Sequence, residues 1–307
     1  MAVFLGLDTS NYTTSCALYD SESHIVCQQK QLLPVRSGEK GLRQSDAVFH
    51  HTVQLPALLE KLELPPEIDG IGVSVRPRNA EGSYMPCFLV GEGTARALGA
   101  ALHVPVYRTS HQIGHILAAL YSAGKLELAE SRFLAFHVSG GTTDCVLCEP
   151  DAAEYLRVTP VSGSLDLKAG QLVDRVGLML GLDFPCGIEL EKLAAQSDLR
   201  VKYKPVMRGA DCCLSGLENQ CRTMLDKGTP PEDTARFCLL SVASVLKEMT
   251  ARALELHGSL PVLYAGGVMS DALLQEALAG EERYFAEPAF SCDNAAGTAL
   301  YAALCSP

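Results

Sequence analysis

Apolar residues alternate or run together over residues 3–7, 14–20 and 23–29, and this period of two predicts three β-strands in quick succession. From residue 43 the period lengthens. Val48, Leu55, Leu58 and Leu59 share one face of a helix predicted over 43–62, which stops before Pro65-Pro66. A buried strand follows over 71–75, then a helix near 90–102 with small residues on one side, a strand after Pro105, and a helix that His111 opens and that ends near 122. A new strand starts at Phe133. Helices are predicted near 169–181, 187–196, 214–226 and 231–257, a strand over 261–265, a helix over 271–279, a short strand over 283–286 and a terminal helix over 294–304. Strand groups followed by crossover helices, written twice, predict an α/β architecture of two related domains.

The duplication is legible residue by residue. FLGLDTSNYTTSCALYD (4–20) returns without a gap as FLAFHVSGGTTDCVLCE (133–149). At that offset of 129, Phe4/Phe133, Ser10/Ser139, Thr13/Thr142, Thr14/Thr143 and Cys16/Cys145 are identical pairs. Each copy reads as a strand, a hydroxyl-rich turn of small residues, and a second strand, so each turn offers backbone N–H groups to an anion. A third turn, Gly266-Gly267-Val268, closes a strand and precedes a helix whose N-terminus suits a nucleotide.

Hairpin, hairpin, then strand–Gly-Gly–helix is the phosphate-1, phosphate-2, adenosine order of the actin and sugar-kinase superfamily, which the chain resembles. That resemblance implies two duplicated actin-like (ASKHA, ribonuclease H-like) domains with a nucleotide cleft between them. Residues 1–105 form the first in this reading, with the C-terminal helix 295–307 packing back on it. Residues 106–294 form the second, carrying the histidines and the adenosine turn. Asp8 stands where the superfamily places an acid facing the metal–nucleotide complex.

Composition narrows the function classes. A chain of 307 residues exceeds one comfortable core, consistent with two domains. The net charge of −11 argues against this chain alone gripping nucleic acid, because phosphate contacts need clustered Lys and Arg. No run of 18 apolar residues and no secretory leader pattern is present, so a cytoplasmic location without membrane contact is expected. The 12 cysteines are scattered, mostly inside apolar patterns, and most read as buried free thiols. Cys145 and Cys148 have redox spacing but lie within a strand instead of opening a helix, and Cys212-Cys213 lacks a second pair at zinc spacing.

His111 and His115, in HQIGH, are spaced i, i+4 at a helix start. Both imidazoles then share one face and can share a metal, although surface and capping histidines show the same spacing. Gly114 between them suggests the close approach of another backbone. Asp293, in FSCDNAAG, is a candidate third ligand and equally a plain helix N-cap.

These residues together resemble the TsaD family, the tRNA threonylcarbamoyladenosine synthases once labelled glycoproteases. The resemblance rests on GLDTS (6–10), His51 before Leu55-Pro56, FLVG (88–91), HQIGH (111–115), SGGTT (139–143), AGQLVDRVGLMLGLDFPCG (169–187), LSGLENQ (214–220), AGGV (265–268) and CDNAAG (292–297). It implies that His111, His115 and Asp293 hold one divalent metal, iron or zinc, with magnesium the other choice. It further implies that Ser139, Gly140, Gly141, Thr142 and Thr143 contact the phosphate and transferred group of ATP or a carbamoyl-adenylate. Gly170 and Asp174 would lie near the ribose, and Gly266, Gly267 and Asp271 in the adenosine turn. Asp8, Ser139 and Thr143 are the candidates for the chemistry. TsaB- and TsaE-like proteins are the implied partners, with tRNA bound only in their company.

The departures point the other way. The family's two acids in the first hairpin turn are replaced by Asn11-Tyr12-Thr13-Thr14, which removes candidate general bases. Ile113 stands for a glutamate, Thr142 for a histidine and Asp271 for an asparagine. Cations appear at Arg76, Arg78 and Lys168, which would suit a carboxylate-bearing acceptor. The leading reading is a nucleotide- and metal-dependent carbamoyl-type transferase acting on an adenosine of tRNA or another amine, slowed by the missing acids. A non-catalytic nucleotide-binding paralogue, as TsaB is, and a small-molecule kinase with Asp211 as its base are the alternatives. A zinc peptidase is excluded because Gln112 stands where H-E-x-x-H has its glutamate.

Overall fold

The computed structural model describes residues 2–10, 12–34, 42–291 and 295–307. Along the chain it contains β1 (Val3–Asp8), β2 (Thr13–Asp20), β3 (Val26–Leu32), α1 (Gln44–Leu62), β4 (Gly70–Arg76), α2 (Phe88–Leu102), β5 (Val106–Ser110) and α3 (His111–Ser122). Next come β6 (Phe133–Val138), β7 (Thr143–Asp151), β8 (Tyr155–Gly163), α4 (Ala169–Met179), α5 (Gly187–Ala194), β9 (Val206–Arg208), β10 (Asp211–Cys213), α6 (Ser215–Asp226) and α7 (Pro231–His257). The chain closes with β11 (Val262–Ala265), α8 (Ala272–Leu278), β12 (Arg283–Phe285) and α9 (Ala296–Cys305). Two compact units result: residues 1–126, 150–157 and 292–307 form the first, and 127–149 with 158–291 the second.

Both units carry one sheet plan. The first sheet runs β3-β2-β1-β4-β5 and the second runs β8-β7-β6-β11-β12, each with its hairpin strand first in sequence at the centre. β1 pairs antiparallel with β2 and parallel with β4, as β6 does with β7 and β11. The hairpin registers are also equal: Leu7↔Cys16 and Asp8↔Ser15 become Phe136↔Cys145 and His137↔Asp144 at the offset of 129. The chain is therefore two duplicated α/β halves, as the sequence repeat predicts.

In the first unit the period-two pattern sends Leu5, Leu7, Ile71 and Val73 to one sheet face, against Leu55 and Leu58 of α1 and Ala95 of α2. The opposite face presents Gly6 and Gly72, where α9 lies directly on the strands. A Cβ on Gly6 would overlap the Ala295 carbonyl oxygen, and one on Gly72 the Thr298 carbonyl oxygen. Against α9 packs α3. The close approach expected at Gly114 is present, but the residue that must be glycine is Gly297, whose Cβ would overlap the Gly114 carbonyl oxygen. Gly114 itself would keep an ordinary 3.5 Å to Thr298.

The second unit's core joins Leu134, Phe136 and Val138 of β6 to Leu172 and Val176 of α4 and to Leu239, Val242, Leu246 and Met249 of α7. Tyr264 stacks between Phe136 and Phe285 at 5.1 and 5.2 Å.

Three expectations need correction. The unit boundary falls at 126/127 and not at 105/106, because β5 completes the first sheet beside β4 and α3 leaves directly from it, so His111 and His115 belong to the first unit. The third strand begins at Val26 instead of residue 23. Asp20 Oδ1 accepts from the Glu22 and Ser23 amides, and the left-handed His24 (φ 57°) closes a turn that holds those residues off the sheet. Lastly, β8 and the β9–β10 ribbon lie where the apolar pattern predicts no strand.

Candidate functional site

In the second unit three turns meet. The β6–β7 turn is closed by the Ser139 amide donating to the Thr142 carbonyl at 2.8 Å. Gly170, in the first turn of α4, lies against it: the Gly170 amide donates to the Ser139 carbonyl at 3.2 Å, and a Cβ on Gly170 would come within 2.5 Å of the Gly140 nitrogen. From the other side Gly266 (φ 102°) abuts the end of β6 so closely that a Cβ would overlap the Val138 carbonyl oxygen. Glycine is demanded at both contacts, by close approach at Gly170 and by close approach plus positive φ at Gly266. Gly140, Gly141 and Gly267 face open space. The arrangement is an exposed row of backbone groups beside the N-terminus of an 11-residue helix, suited to an anion.

Other residues singled out near these turns have structural partners. Thr143 is fully buried; its hydroxyl donates to the Thr142 carbonyl and accepts from the Ala169 amide, both at 2.8 Å, so it joins turn to helix and is not placed for chemistry. Asp174 Oδ1 accepts from the Cys186 amide at 2.9 Å, pinning the approach to α5. Asp211 Oδ1 accepts from the Gly163 amide at 2.8 Å, which accounts for the acid considered as a kinase base. Lys168 Nζ donates to the Ser164 carbonyl at 2.8 Å and stands 3.9 Å from Asp144 Oδ1. Asp271 caps α8, accepting from the Leu274 amide at 3.1 Å; burial, with the Glu191 charge nearby, pushes its carboxyl up to about 6.

In the first unit Asp8 ends β1, buried, with Oδ1 accepting from the Ser10 amide at 2.8 Å and Oδ2 lying 2.6 Å from His111 Nδ1. Ser110 Oγ caps α3 by accepting from the Ile113 amide. One turn along α3, His115 packs its ring edge-on to His111, centroids 4.3 Å apart. A carboxylate against Nδ1 is the partner that commonly orients a metal-ligating histidine. Two imidazoles on one helix face therefore fit a metal. Asp293 lies outside the described residues, and among those described no group of three His, Cys, Asp or Glu is placed to hold a metal ion.

Arg76 is already matched within its unit. Its Nη2 contacts both Glu154 carboxylate oxygens at 2.8 and 3.0 Å, and its Nε donates to Asn79 Oδ1 at 2.9 Å. A guanidinium so engaged is a loop clasp, which argues against the acceptor role expected for it. Arg78 is exposed, its backbone amide donating to Ser83 Oγ. Most of the described cysteines agree with the buried-thiol reading, Cys27 being exposed and Cys213 and Cys305 half-buried: Cys145 and Cys148 are buried and pushed well up by desolvation, and Cys212 rises to about 11 for the same reason.

Two histidines at the hairpins were not assigned roles by the sequence. His51 is buried on α1 beside β2. Gln54 Nε2 donates to the Leu32 carbonyl, so Gln54 Oε1 faces Thr14 and accepts its hydroxyl proton at 2.6 Å. The Thr14 oxygen must then accept from His51 Nδ1 at 2.8 Å, and burial holds the ring neutral, its pKa lowered to about 4. His51 thus anchors the first hairpin to α1. His137 occupies the position in β6 that Asp8 occupies in β1, which the repeat offset alone could have revealed.

A sequence model of the family described as TsaD, tRNA N6-adenosine threonylcarbamoyltransferase, matches residues 37–300. A "Probable bifunctional tRNA threonylcarbamoyladenosine biosynthesis protein" of Thermoplasma volcanium is 28% identical over 96% of this chain, and the chain spans about half (54%) of that protein's length. A "tRNA N6-adenosine threonylcarbamoyltransferase" of Thermus thermophilus is 29% identical over 97% of this chain and 91% of its own. Among solved structures, full-length HypF in its phosphate- and nucleotide-bound form matches with TM-score 0.60 and 12% identity over 98% of this chain and 45% of that one, a likeness of fold. No helix among the described residues is long and apolar enough to cross a membrane.

Proposed function

The chain belongs to the TsaD family of tRNA N6-adenosine threonylcarbamoyltransferases, and from that premise we propose that it transfers a threonylcarbamoyl group from its adenylate to an adenine N6 amine of tRNA. The observation that carries this reading is the meeting of three turns in the second unit, at Ser139–Thr142, Gly170 and Gly266-Gly267. The exposed backbone at Gly140, Gly141 and Gly267, beside the α4 N-terminus, would receive the adenylate phosphate, stabilising the charge that grows on it as the acyl–oxygen bond breaks. Asp271, at the following helix cap, would accept from a ribose hydroxyl or the adenine amine.

His111 and His115 would hold a divalent metal through the face of α3 they share, with Asp8 orienting His111. When bound, such a metal supplies Lewis acidity toward a phosphate or acyl oxygen. The double variant His111→Ala, His115→Ala is expected to purify without the metal that the wild type carries, as read by elemental analysis. Unchanged metal content would remove these two residues from the site.

The reaction is tested by supplying preformed threonylcarbamoyl-adenylate and tRNA, with TsaB- and TsaE-like partner proteins added. AMP release that depends on tRNA, with the label appearing in tRNA, is the expected result. It should be slow relative to relatives that keep two acids in the first hairpin turn. ATP turnover that ignores tRNA, or phosphate appearing on a small molecule, would overturn the reading in favour of a kinase.

A further inference from the structure

We infer that His137, set by Asp144, is the general base that takes the proton from the attacking amine. This inference rests on the acyl-transfer reading above. In antiparallel strands, residues directly opposite carry their side chains on the same face with Cβ atoms roughly 4.5–5.5 Å apart. His137 of β6 and Asp144 of β7 are such a pair. Their face is opposite to that of Phe136 and Val138, which are committed to the core under α4 and α7. Both side chains are half-buried, the intermediate state a proton-transfer group needs.

The neighbours fit the role. On the other side of His137, β11 offers Ala265, small enough to leave the imidazole room, immediately before Gly266-Gly267. Gly163 of β8 abuts Asp144, where a Cβ would come within 2.8 Å of Oδ1. Opposite His137, Asp144 has Lys168 from the approach to α4 beside it, with Nζ 3.9 Å from Asp144 Oδ1, and Asp211 from β10 is tied to the Gly163 amide. Lys168 directly precedes Ala169 and Gly170, so the same short segment touches the dyad and the anion-suited turn. An aspartate beside an imidazole orients it and raises the basicity of the far nitrogen.

The duplication supplies an independent argument. Position 8 of the first repeat and position 137 of the second are one site in the common hairpin, at equal register. The first holds a carboxylate bonded to a histidine, and the second a histidine opposite a carboxylate. Each half therefore has an ionisable side chain at the tip of its central strand with one of complementary type beside it, supplied by α3 in the first half and by β7 in the second. The first hairpin lacks acids in its turn, and His137 is the proton acceptor that the second supplies.

The step balances without another reagent. The amine nitrogen of the acceptor bonds to the acyl carbon of the adenylate, and the bond from that carbon to the phosphate oxygen breaks. AMP leaves with the electron pair, and the amine proton passes to a ring nitrogen of His137, which returns it to water.

The test uses the full chain with labelled histidine. The His137 ring resonances should shift when AMP is added, and Asp144→Asn should change the nitrogen-shift pattern that reports the ring's tautomer. In the transfer assay, His137→Ala should lower the maximal rate by about 100-fold or more. Its KM for the adenylate should stay within about two-fold, and free imidazole should restore part of the rate. A rate loss matched by an equal loss of adenylate affinity would overturn the inference, as would an unaffected rate. Should wild-type protein transfer nothing to tRNA, the acyl-transfer reading falls. His137 resonances that ignore both nucleotide and Asp144→Asn would overturn the dyad itself.

Discussion

Replacing Gly297 with alanine is expected to unfold the first unit. The new Cβ would meet the Gly114 carbonyl oxygen, so main chain opposes main chain and no side chain can rotate away. Relief requires α9 to separate from α3, and α9 also lies on β1 and β4 at Gly6 and Gly72. Overpacking of a yielding core costs about 1–3 kcal/mol, and a backbone overlap should exceed that range. Total stabilities are of order 5–15 kcal/mol, so the loss is a large fraction of the whole. Gly93→Ala provides the contrast, because Gly93 is exposed in α2 with nothing near its Cβ position. Alanine there should stabilise by up to about 1 kcal/mol through helix propensity. Urea unfolding gives the magnitudes, and hydrogen exchange should locate the Gly297→Ala loss in α3 and α9. A Gly297→Ala protein within about 0.5 kcal/mol of wild type would disprove the packing argument.

The second large effect is on the pH dependence of stability. Asp271 is buried at the α8 cap, and its carboxyl is pushed up to about 6 from an ordinary 3.8, chiefly by desolvation. The folded pKa is the higher one. Folding is therefore favoured by this group below pH ~4, and that contribution is lost as pH rises through about 6. The shift of roughly two units corresponds to about 3 kcal/mol at most. An asparagine side chain would cap the helix equally well without the buried charge. Asp271→Asn should accordingly be more stable than wild type at pH 8, by an amount that shrinks toward nothing near pH ~4. Melting curves at several pH values decide it: a stability difference independent of pH would show that Asp271 is ionised at no cost in the fold.

The hairpins and glycine turns were legible because their signals are local. A gap-free repeat and glycines at strand ends require no knowledge of distant chain. β8 was not legible: it is largely half-exposed, carries Pro160, and lacks the apolar alternation that marks a strand with one buried face. The β9–β10 ribbon is only three residues a side, too short to show any period. Site partners failed for a related reason. Arg76 and Glu154 are separated by 78 positions and Asp8 and His111 by 103, so sequence displayed the cations and acids without displaying their pairing. Arg76 reads as an acceptor ligand only while it counts as an unmatched charge. The unit boundary shifted because a short strand after Pro105 gave no hint of which sheet it would join.

The equal registers of the two hairpins bear on how such a chain can diverge. Asp8↔Ser15 and His137↔Asp144 stand at the same register, and the sequence between the members of each pair is the same length. An insertion of one residue that slipped a strand would turn every side chain to the wrong face. Substitution inside a fixed frame does not. The paired strands are thus a constant socket, and SNYT and SGGT are two sequences written between them. After duplication, one copy could change its filling freely while the other kept its own, and the strands beneath would record no difference.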